Sequence, residues 1–454
     1  MGRLAAHLND AAIVVANGER ILYREPGFAL LENDTLVVGA EAYANARLQP
    51  RAVKNRFWSE LQTEPLADPR FRHLSSADLV SRQLEQMWAR VAGPGDQLAI
   101  AVPPSMNNEQ LGLLLGIVAE LDIPVIAMVD AAVAATRRHY ENAVPVHIDL
   151  SLHTTNLTRL LQEGEVQVER SAVVADAGWL HLQDSWLREI AETFVRQSRF
   201  DPLHTAETEQ VLQDRLMDWL AIAARADTVP MEIEYRGIVH SAEIETLELV
   251  AAAAPVYQNI VSNVRALYRA EETPAMQLSD RAARMPGLAE TLKTRVGGEV
   301  FLLEQGATAR GLVHRCREDH KGGGLTLVRH LPWDQASVEV HKRDSDGPGG
   351  RPTHLLFGSH AYAVGAEPLV LGTQATDGER WLLLQQEMRG VSRRHCVVSQ
   401  QNGQCVVTDH SRYGTFLNGH RIDGSAVLQC GDLIRVGTPG FELCMISVEQ
   451  LGGA

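Results

Sequence analysis

The 454-residue chain has little of what would place a protein in a membrane, an oxidising compartment or on nucleic acid. No apolar run approaches the ~18–20 residues that a membrane-spanning helix needs, so membrane insertion is not expected. The opening residues Met1-Gly2-Arg3-Leu4-Ala5-Ala6-His7 lack the apolar centre of a secretion signal. Cysteine is scarce: Cys316, Cys396, Cys405, Cys430 and Cys444 are odd in number and form no CxxC pair. That usage fits a reduced cytoplasm. Basic residues are outnumbered, 42 Lys+Arg against 57 Asp+Glu, leaving a formal charge of -15. An acidic surface repels polyphosphate, so a nucleic-acid partner is not expected either. There is no GxSxG elbow for nucleophilic catalysis. Lys321-Gly322-Gly323-Gly324 is not a phosphate loop, because its lysine precedes the glycines. His314, Cys316 and His320 supply three ligands with no second cysteine pair nearby, and no metal is expected there.

What remains is a globular composition, 45% hydrophobic and 22% charged, in a length that suits two to four domains. The chain changes character near residue 315. Clusters of Gly, Pro and Asp, ending in Asp344-Ser345-Asp346-Gly347-Pro348-Gly349-Gly350, make 316–351 read as a linker with at most a short ordered insert. Beyond it, Pro368–Leu371, Trp381–Leu384, Cys396–Ser399, Cys405–Thr408 and Leu433–Val436 are short apolar runs separated by turn residues. They predict an all-β sandwich over 352–447, followed by a tail at 448–454. From residue 352 onward seven Arg face nine acids, so most of the negative charge belongs to the first 351 residues.

Residues 1–315 read as α/β. Leu98–Val102 predicts a buried strand, and Asn107 with Gln110 a capped helix with Leu111, Leu114, Leu115, Val118 and Leu121 on one face. Asp122 and Pro124 stop that helix. Val125–Val129 predicts a second strand and Ala131–Thr136 another helix, together a βαβ unit with parallel pairing. Leu212, Leu216, Trp219, Leu220 and Ala223 mark a further helix. Met231, Ile233 and Tyr235 alternate with charges, the pattern of a strand with one wet face. Trp58, Trp88, Trp179, Trp186 and Trp219 mostly fall on helical patterns and are expected in the core.

The sharpest motif is Ser392-Arg393-Arg394-His395, followed by Asp409-His410-Ser411-Arg412-Tyr413-Gly414-Thr415-Phe416-Leu417-Asn418-Gly419 and then Gly431-Asp432. Residues 352–447 thereby resemble the forkhead-associated (FHA) domain, with its SRxH, SxNGTxxNG and GD blocks in order. The resemblance implies a β-sandwich that binds phosphothreonine peptides with loops at one end. A phosphate dianion needs charge-assisted donors converging from rigid turns, which such loops supply. Carried over by position, Ser392 and Arg393 donate to phosphate, and Arg412 stands where another phosphate-contacting side chain is often found. His395 braces the loop, Gly414 and Thr415 shape the second loop, and Asn418 and Gly419 make the following turn. Two positions depart from the family. Its Gly-Arg pair is Gly372-Thr373 here, and its peptide-holding Asn is Tyr413. Losing one charge-assisted contact costs about 1.5–3 kcal/mol, ten- to a hundredfold in affinity. A phosphate-independent interaction module is therefore the competing expectation.

The N-terminal region resembles a second family. Ala101-Val102-Pro103-Pro104, Val129-Asp130-Ala131-Ala132-Val133-Ala134-Ala135, His147–Thr155, Leu278–Leu288 and Gln305-Gly306-Ala307-Thr308-Ala309-Arg310-Gly311 are similar, in order, to stretches of the ATPase domain of seventy-kilodalton heat-shock chaperones. That resemblance implies an actin-like, two-lobed, ribonuclease H-like fold over 1–315. It also implies ATP and Mg²⁺, held by glycine hairpins and carboxylates. The hairpins are damaged. Leu8-Asn9-Asp10 stands for Gly-Thr-Thr, Ser151-Leu152-His153 for the glycines after Asp149, and Asp280-Arg281-Ala282 for the adenosine-side glycine pair and the residue after it. Asp10, Asp149 and Asp280 mark an eroded nucleotide site, with a relocated metal site as the less favoured alternative. The expectation is a cytoplasmic scaffold of a pseudo-ATPase and an FHA domain, binding proteins, among them threonine-phosphorylated ones, without enzymatic activity or cofactor. The rival readings are an ATP-binding chaperone-like ATPase and a filament-forming actin relative. Oligomeric state is not readable from the sequence.

Overall fold

The computed structural model divides the chain into two compact units, Met1–Val338 and Glu339–Ala454. It describes residues 2–18, 20–32, 35–315, 325–332, 352–357, 360–376, 378–384, 390–401, 404–417, 420–429, 432–437 and 441–446. Asn418, Gly419, Cys316, His320 and Cys430 lie outside the described residues, as do the tail and most of 316–351.

The N-terminal unit opens with three antiparallel strands, β1 (Arg3–Asn9), β2 (Ala12–Asn17) and β3 (Arg20–Glu25). A three-stranded side sheet follows, made of β4 (Ala29–Glu32), β5 (Thr35–Val38) and, past α1 (Ala40–Tyr43), β6 (Val53–Lys54). Then come α2 (Ser76–Val91), β7 (Gln97–Val102), α3 (Asn108–Glu120), β8 (Val125–Asp130) and α4 (Ala131–Ala135). β7 pairs parallel with β1, and β8 parallel with β7. The first sheet therefore runs β8-β7-β1-β2-β3.

The second sheet repeats that plan. β9 (Val144–Leu150), β10 (Thr154–Glu163) and β11 (Glu165–Ala175) are consecutive and antiparallel. The chain then forms α5 (Trp179–Ser198), α6 (Ala206–Ala223), a hairpin of β12 (Thr228–Tyr235) and β13 (Ile238–Glu245), and α7 (Thr246–Arg265). β14 (Pro274–Leu278) returns parallel to β9. After α8 (Leu288–Val296), β15 (Glu299–Leu302) pairs parallel with β14. The order β15-β14-β9-β10-β11 matches the first sheet strand for strand.

Local sequence accounts for most of these elements. Asn107 and Gln110 form a reciprocal capping box at α3, and Leu111, Leu114, Ile117 and Val118 are its buried face. Asp122, at φ 52°, turns the chain out of the helix. Trp179, Trp186 and Trp219 are buried on helices as expected, whereas Trp58 is buried from a loop, its indole donating to Gln83 at 2.7 Å.

α9 (Ala307–Arg315) crosses α4 closely, and Arg315 donates to the carbonyls of Thr136, Val133 and Ala134 at the C-terminal end of α4. The segment after it carries a short ordered stretch within 316–351. β16 (Leu327–Val328) pairs parallel with β8, and β17 (His330–Pro332) pairs antiparallel with β11. Edge strands expose a row of unpaired amides and carbonyls, and this apolar stretch covers one edge of each sheet, with Leu331 buried.

Asp130 caps α4, its Oδ1 accepting from the amides of Ala132 and Val133 at 2.9 and 3.4 Å. Burial pushes its carboxyl from 3.8 up to about 6, against those two amides. The folded protein therefore holds a proton that the unfolded chain releases between about pH 4 and 6. Stability falls as pH rises through that window, and ionised Asp130 is a net cost above it. Asp130→Asn keeps the capping oxygen and removes the ionisation. It is expected to match wild type near pH 4 and exceed it by about 1–3 kcal/mol at pH 7.5, read by denaturant titration at both pH values.

The C-terminal unit contains β18 (His354–Phe357), β19 (His360–Ala363), β20 (Leu369–Gly372), β21 (Arg380–Leu383), β22 (Cys396–Gln401), β23 (Gln404–Asp409), β24 (Thr415–Leu417), β25 (His420–Arg421), β26 (Ser425–Leu428), β27 (Leu433–Val436) and β28 (Phe441–Ile446). They form two sheets, β19-β18-β28-β27-β24-β25 and β21-β20-β22-β23-β26. Leu369, Leu371, Cys396, Val398, Val407, Ile434 and Val436 fill the space between them. Burial pushes the Cys396 thiol up to about 12, the behaviour of a packing residue and not a nucleophile.

Candidate functional site

Two loops of the C-terminal unit meet at one end: residues 392–395, entering β22, and 410–414, between β23 and β24. His395 joins them from inside. It is fully buried, its Nδ1 accepts from the Ser392 amide at 3.1 Å, and its Nε2 lies 3.3 Å from the Gly414 carbonyl. Those partners fix the tautomer with the proton on Nε2. Burial lowers its pKa, so the ring stays a neutral strut. Ser392 Oγ accepts from the Arg412 amide at 3.1 Å and ties the loops a second time.

The second loop is held from below. Asp409 Oδ1 accepts from the Ser411 amide at 2.9 Å and the Thr415 hydroxyl at 2.8 Å, and Ser411 Oγ accepts from the Gly414 amide at 2.7 Å. Burial acts to raise Asp409, but the Ser411 and Thr415 donors outweigh it and keep its carboxyl ionised. Gly414 sits at φ +96°, where a Cβ would meet Arg421 Nε at 2.4 Å. Gly372 is required for another reason: β20 ends against the first loop, and a Cβ there would lie 2.0 Å from the Arg393 carbonyl.

The three arginines carried by the two loops differ in what they do. Arg394 is locked, one guanidinium nitrogen 2.7 Å from both oxygens of Glu379 and its plane near the Trp381 ring. Arg393 and Arg412 are exposed, and no side-chain hydrogen bond or ion pair among the described residues engages either guanidinium. Arg412 instead lies 5.8 Å over the ring of Tyr413, which is itself exposed. The family model for the FHA domain matches residues 380–437, which span both loops. This is an FHA domain. No curated protein matches the chain. FHA domains are protein-interaction modules that bind phosphorylated proteins, typically on phosphothreonine. Thr373, at the position of the family's missing arginine, lies at the same end, its amide bonded to the Ser392 carbonyl at 3.3 Å.

The N-terminal unit holds the other expected site. Asp10 and Ala11 form the turn between β1 and β2, with Asn9 Oδ1 accepting from the Ala11 amide at 2.9 Å. This turn bonds directly to the loop after β9. Asp10 Oδ1 accepts from the Leu152 amide at 2.8 Å, and Asn9 Nδ2 donates to Asp149 Oδ2 at 2.8 Å and to the Leu150 carbonyl at 3.2 Å. Leu152 is fully buried. The first amides of α5 are engaged as well, Trp179 to the Ser151 carbonyl at 2.8 Å and Leu180 to that of Leu152 at 3.0 Å. Gly178 permits this contact, since a Cβ would lie 2.4 Å from the loop backbone.

Asp10, Asp149 and Asp280 all act on the buried Arg281, and each is held by different partners. Burial raises Asp10 to about 6, opposed by the Leu152 amide and by Arg281. Burial would raise Asp149 too, but His7, 3.3 Å away, holds it well below the usual carboxylate range. Asp280 pairs with Arg24 at 3.5 Å and Arg284 at 3.6 Å. Among the described residues no three His, Cys, Asp or Glu side chains converge as a metal-holding group. Arg281 turns inward and donates to the Leu150 carbonyl at 3.3 Å. Its place between the two sheets' loops, like those of Asn9, His7 and Arg24, had no signal in the local sequence.

Proposed function

We propose that this protein is a non-enzymatic cytoplasmic adaptor. Its FHA domain reads a threonine-phosphorylated partner through Ser392, Arg393 and Arg412, and its N-terminal unit docks a second component. A single chain carrying both raises the effective concentration of one partner near the other. The observation that carries the reading is the pair of guanidiniums, Arg393 and Arg412, that no hydrogen bond or ion pair among the described residues engages, on loops joined by His395. Two cations on a rigid frame need no reorganisation to take a dianion, and they compensate for Thr373.

The N-terminal part of the proposal is a degenerate actin-like, heat-shock-chaperone-like fold. The two sheets of identical strand order support it, and so does the close crossing of α4 and α9. The residues present do not fit a magnesium nucleotide. The amides that would cradle phosphate are bonded to Asp10 and to loop carbonyls, and Leu152 and Arg281 stand where glycines would give room. The bridge that nucleotide makes between two lobes is made here by Asp10, Asn9 and Arg281.

Fluorescence anisotropy of a degenerate phosphothreonine peptide library on the whole chain tests the first part. Phosphorylated peptides are expected to bind at least about tenfold tighter than the same peptides without phosphate. Equal binding would remove phosphate recognition and leave a phosphate-independent module.

A further inference from the structure

The cleft beside the closed turn is not itself filled. About 410 Å³ stay open along Ala11 and Leu152, within the roughly 300–1,000 Å³ usual for small-molecule sites. Its two ends differ in chemistry. Phe28 and Tyr43 meet edge to face with centroids 5.0 Å apart, and with Trp179 they give an aromatic wall. The other end carries Arg24, Arg281 and Arg284.

The charges at that end are not matched. Arg24 and Arg284 share the single carboxylate of Asp280 at 3.5 and 3.6 Å, longer than a good hydrogen bond. Among the described residues no hydrogen bond engages either guanidinium, and Asp280 Oδ2 is itself buried without one. Glu25, on the same wall, belongs elsewhere: it pairs with Arg90 and accepts from the Ala40 amide at 3.2 Å. Arg281 faces inward and donates to the Leu150 carbonyl at 3.3 Å, and it too draws on Asp280, ahead of Asp149 and Asp10. Two partly covered guanidiniums with one shared counter-ion leave a place for one more anion. Planar guanidinium forks hold carboxylates bidentately and give up water more readily than an ammonium.

We propose that this cleft binds a small aromatic or branched-chain carboxylate, its apolar body against Phe28, Tyr43 and Trp179 and its carboxylate in the fork of Arg24 and Arg284. The inference rests on the reading that the cleft no longer takes a nucleotide. A polyphosphate would need the loop amides that Asp10 and the loop carbonyls already occupy, whereas a monoanion with an apolar body needs only the open part.

Calorimetry on the full chain tests it with 3-phenylpropionate, indole-3-propionate and 4-methylpentanoate, the corresponding amides, and ATP with Mg²⁺. At least one acid is expected to bind, its amide at least tenfold more weakly, and ATP not at all. Arg284→Gln and Arg24→Gln are each expected to weaken the acid at least tenfold, with circular dichroism and melting temperature unchanged. Silence from every acid up to roughly 10 mM, where even a weak fragment Kd registers, overturns the proposal. Equal binding of acid and amide, or acid binding indifferent to both variants, overturns it too. If ATP stays silent in those cases, the reading of a closed nucleotide site stands by itself. Binding of ATP would overturn both.

Discussion

Gly311→Ala is expected to destabilise the N-terminal unit by about 2–3 kcal/mol, although alanine is the better helix former. Gly311 lies within α9 where it crosses α4, and a Cβ there would sit 2.1 Å from the Ala134 carbonyl oxygen. That oxygen also accepts from Arg315, so moving it aside breaks a buried charge-assisted bond as well as close packing. The control reverses the sign. Gly116 is an exposed glycine inside α3 with open space around its Cβ position, so Gly116→Ala should stabilise by about 0.5–1 kcal/mol. Thermal and urea unfolding of both variants against wild type measure the contrast. A neutral or stabilising Gly311→Ala would mean that the two helices do not approach as described.

Replacing Arg393 and Arg412 together with Ala is expected to weaken a phosphothreonine peptide at least a hundredfold. Each charge-assisted contact contributes about 1.5–3 kcal/mol, and two are removed. Arg394→Ala is expected to change affinity by less than about threefold. Its guanidinium is held by Glu379, and a partly exposed ion pair of this kind contributes little to stability. Anisotropy with one phosphopeptide across the three proteins decides. Loss in Arg394→Ala with retention in the double variant would assign the phosphate to the other arginine and sink the present assignment.

That pair of arginines shows how far local sequence reaches. The motif Ser392-Arg393-Arg394-His395 marks the loop, and the spacing to Gly414 and Thr415 marks its neighbour. Two adjacent arginines look alike in a string of letters. Only the packing of Glu379 beside Arg394 tells which of them is held in place. His395 was legible as a brace, but its two contacts, to the Ser392 amide and the Gly414 carbonyl, come from opposite sides of the ring. The short insert that the linker reading allowed had no assigned place, and Leu327, Val328 and Leu331 add to sheet edges. Gly- and Asp-rich flanks mask a short strand whose partner is nearly two hundred residues earlier.

Short-range physics was settled by the order of the residues. Alternation in Met231, Ile233 and Tyr235 made a half-buried strand, and Asn107 with Gln110 started a helix. Leu8-Asn9-Asp10, Ser151-Leu152-His153 and Asp280-Arg281-Ala282 hold no glycine, which on the proposed reading means damage to a phosphate site. The contacts among these loops were decided in three dimensions. Asp10 meets the Leu152 amide across 142 residues, and Arg281 reaches the Leu150 carbonyl across 131. A hydrogen bond between loops of two separate sheets depends on how those sheets are set against each other, and no pattern within either loop encodes it. The same holds for the open cleft, whose aromatic wall and arginine fork come from segments that meet only once both sheets have formed.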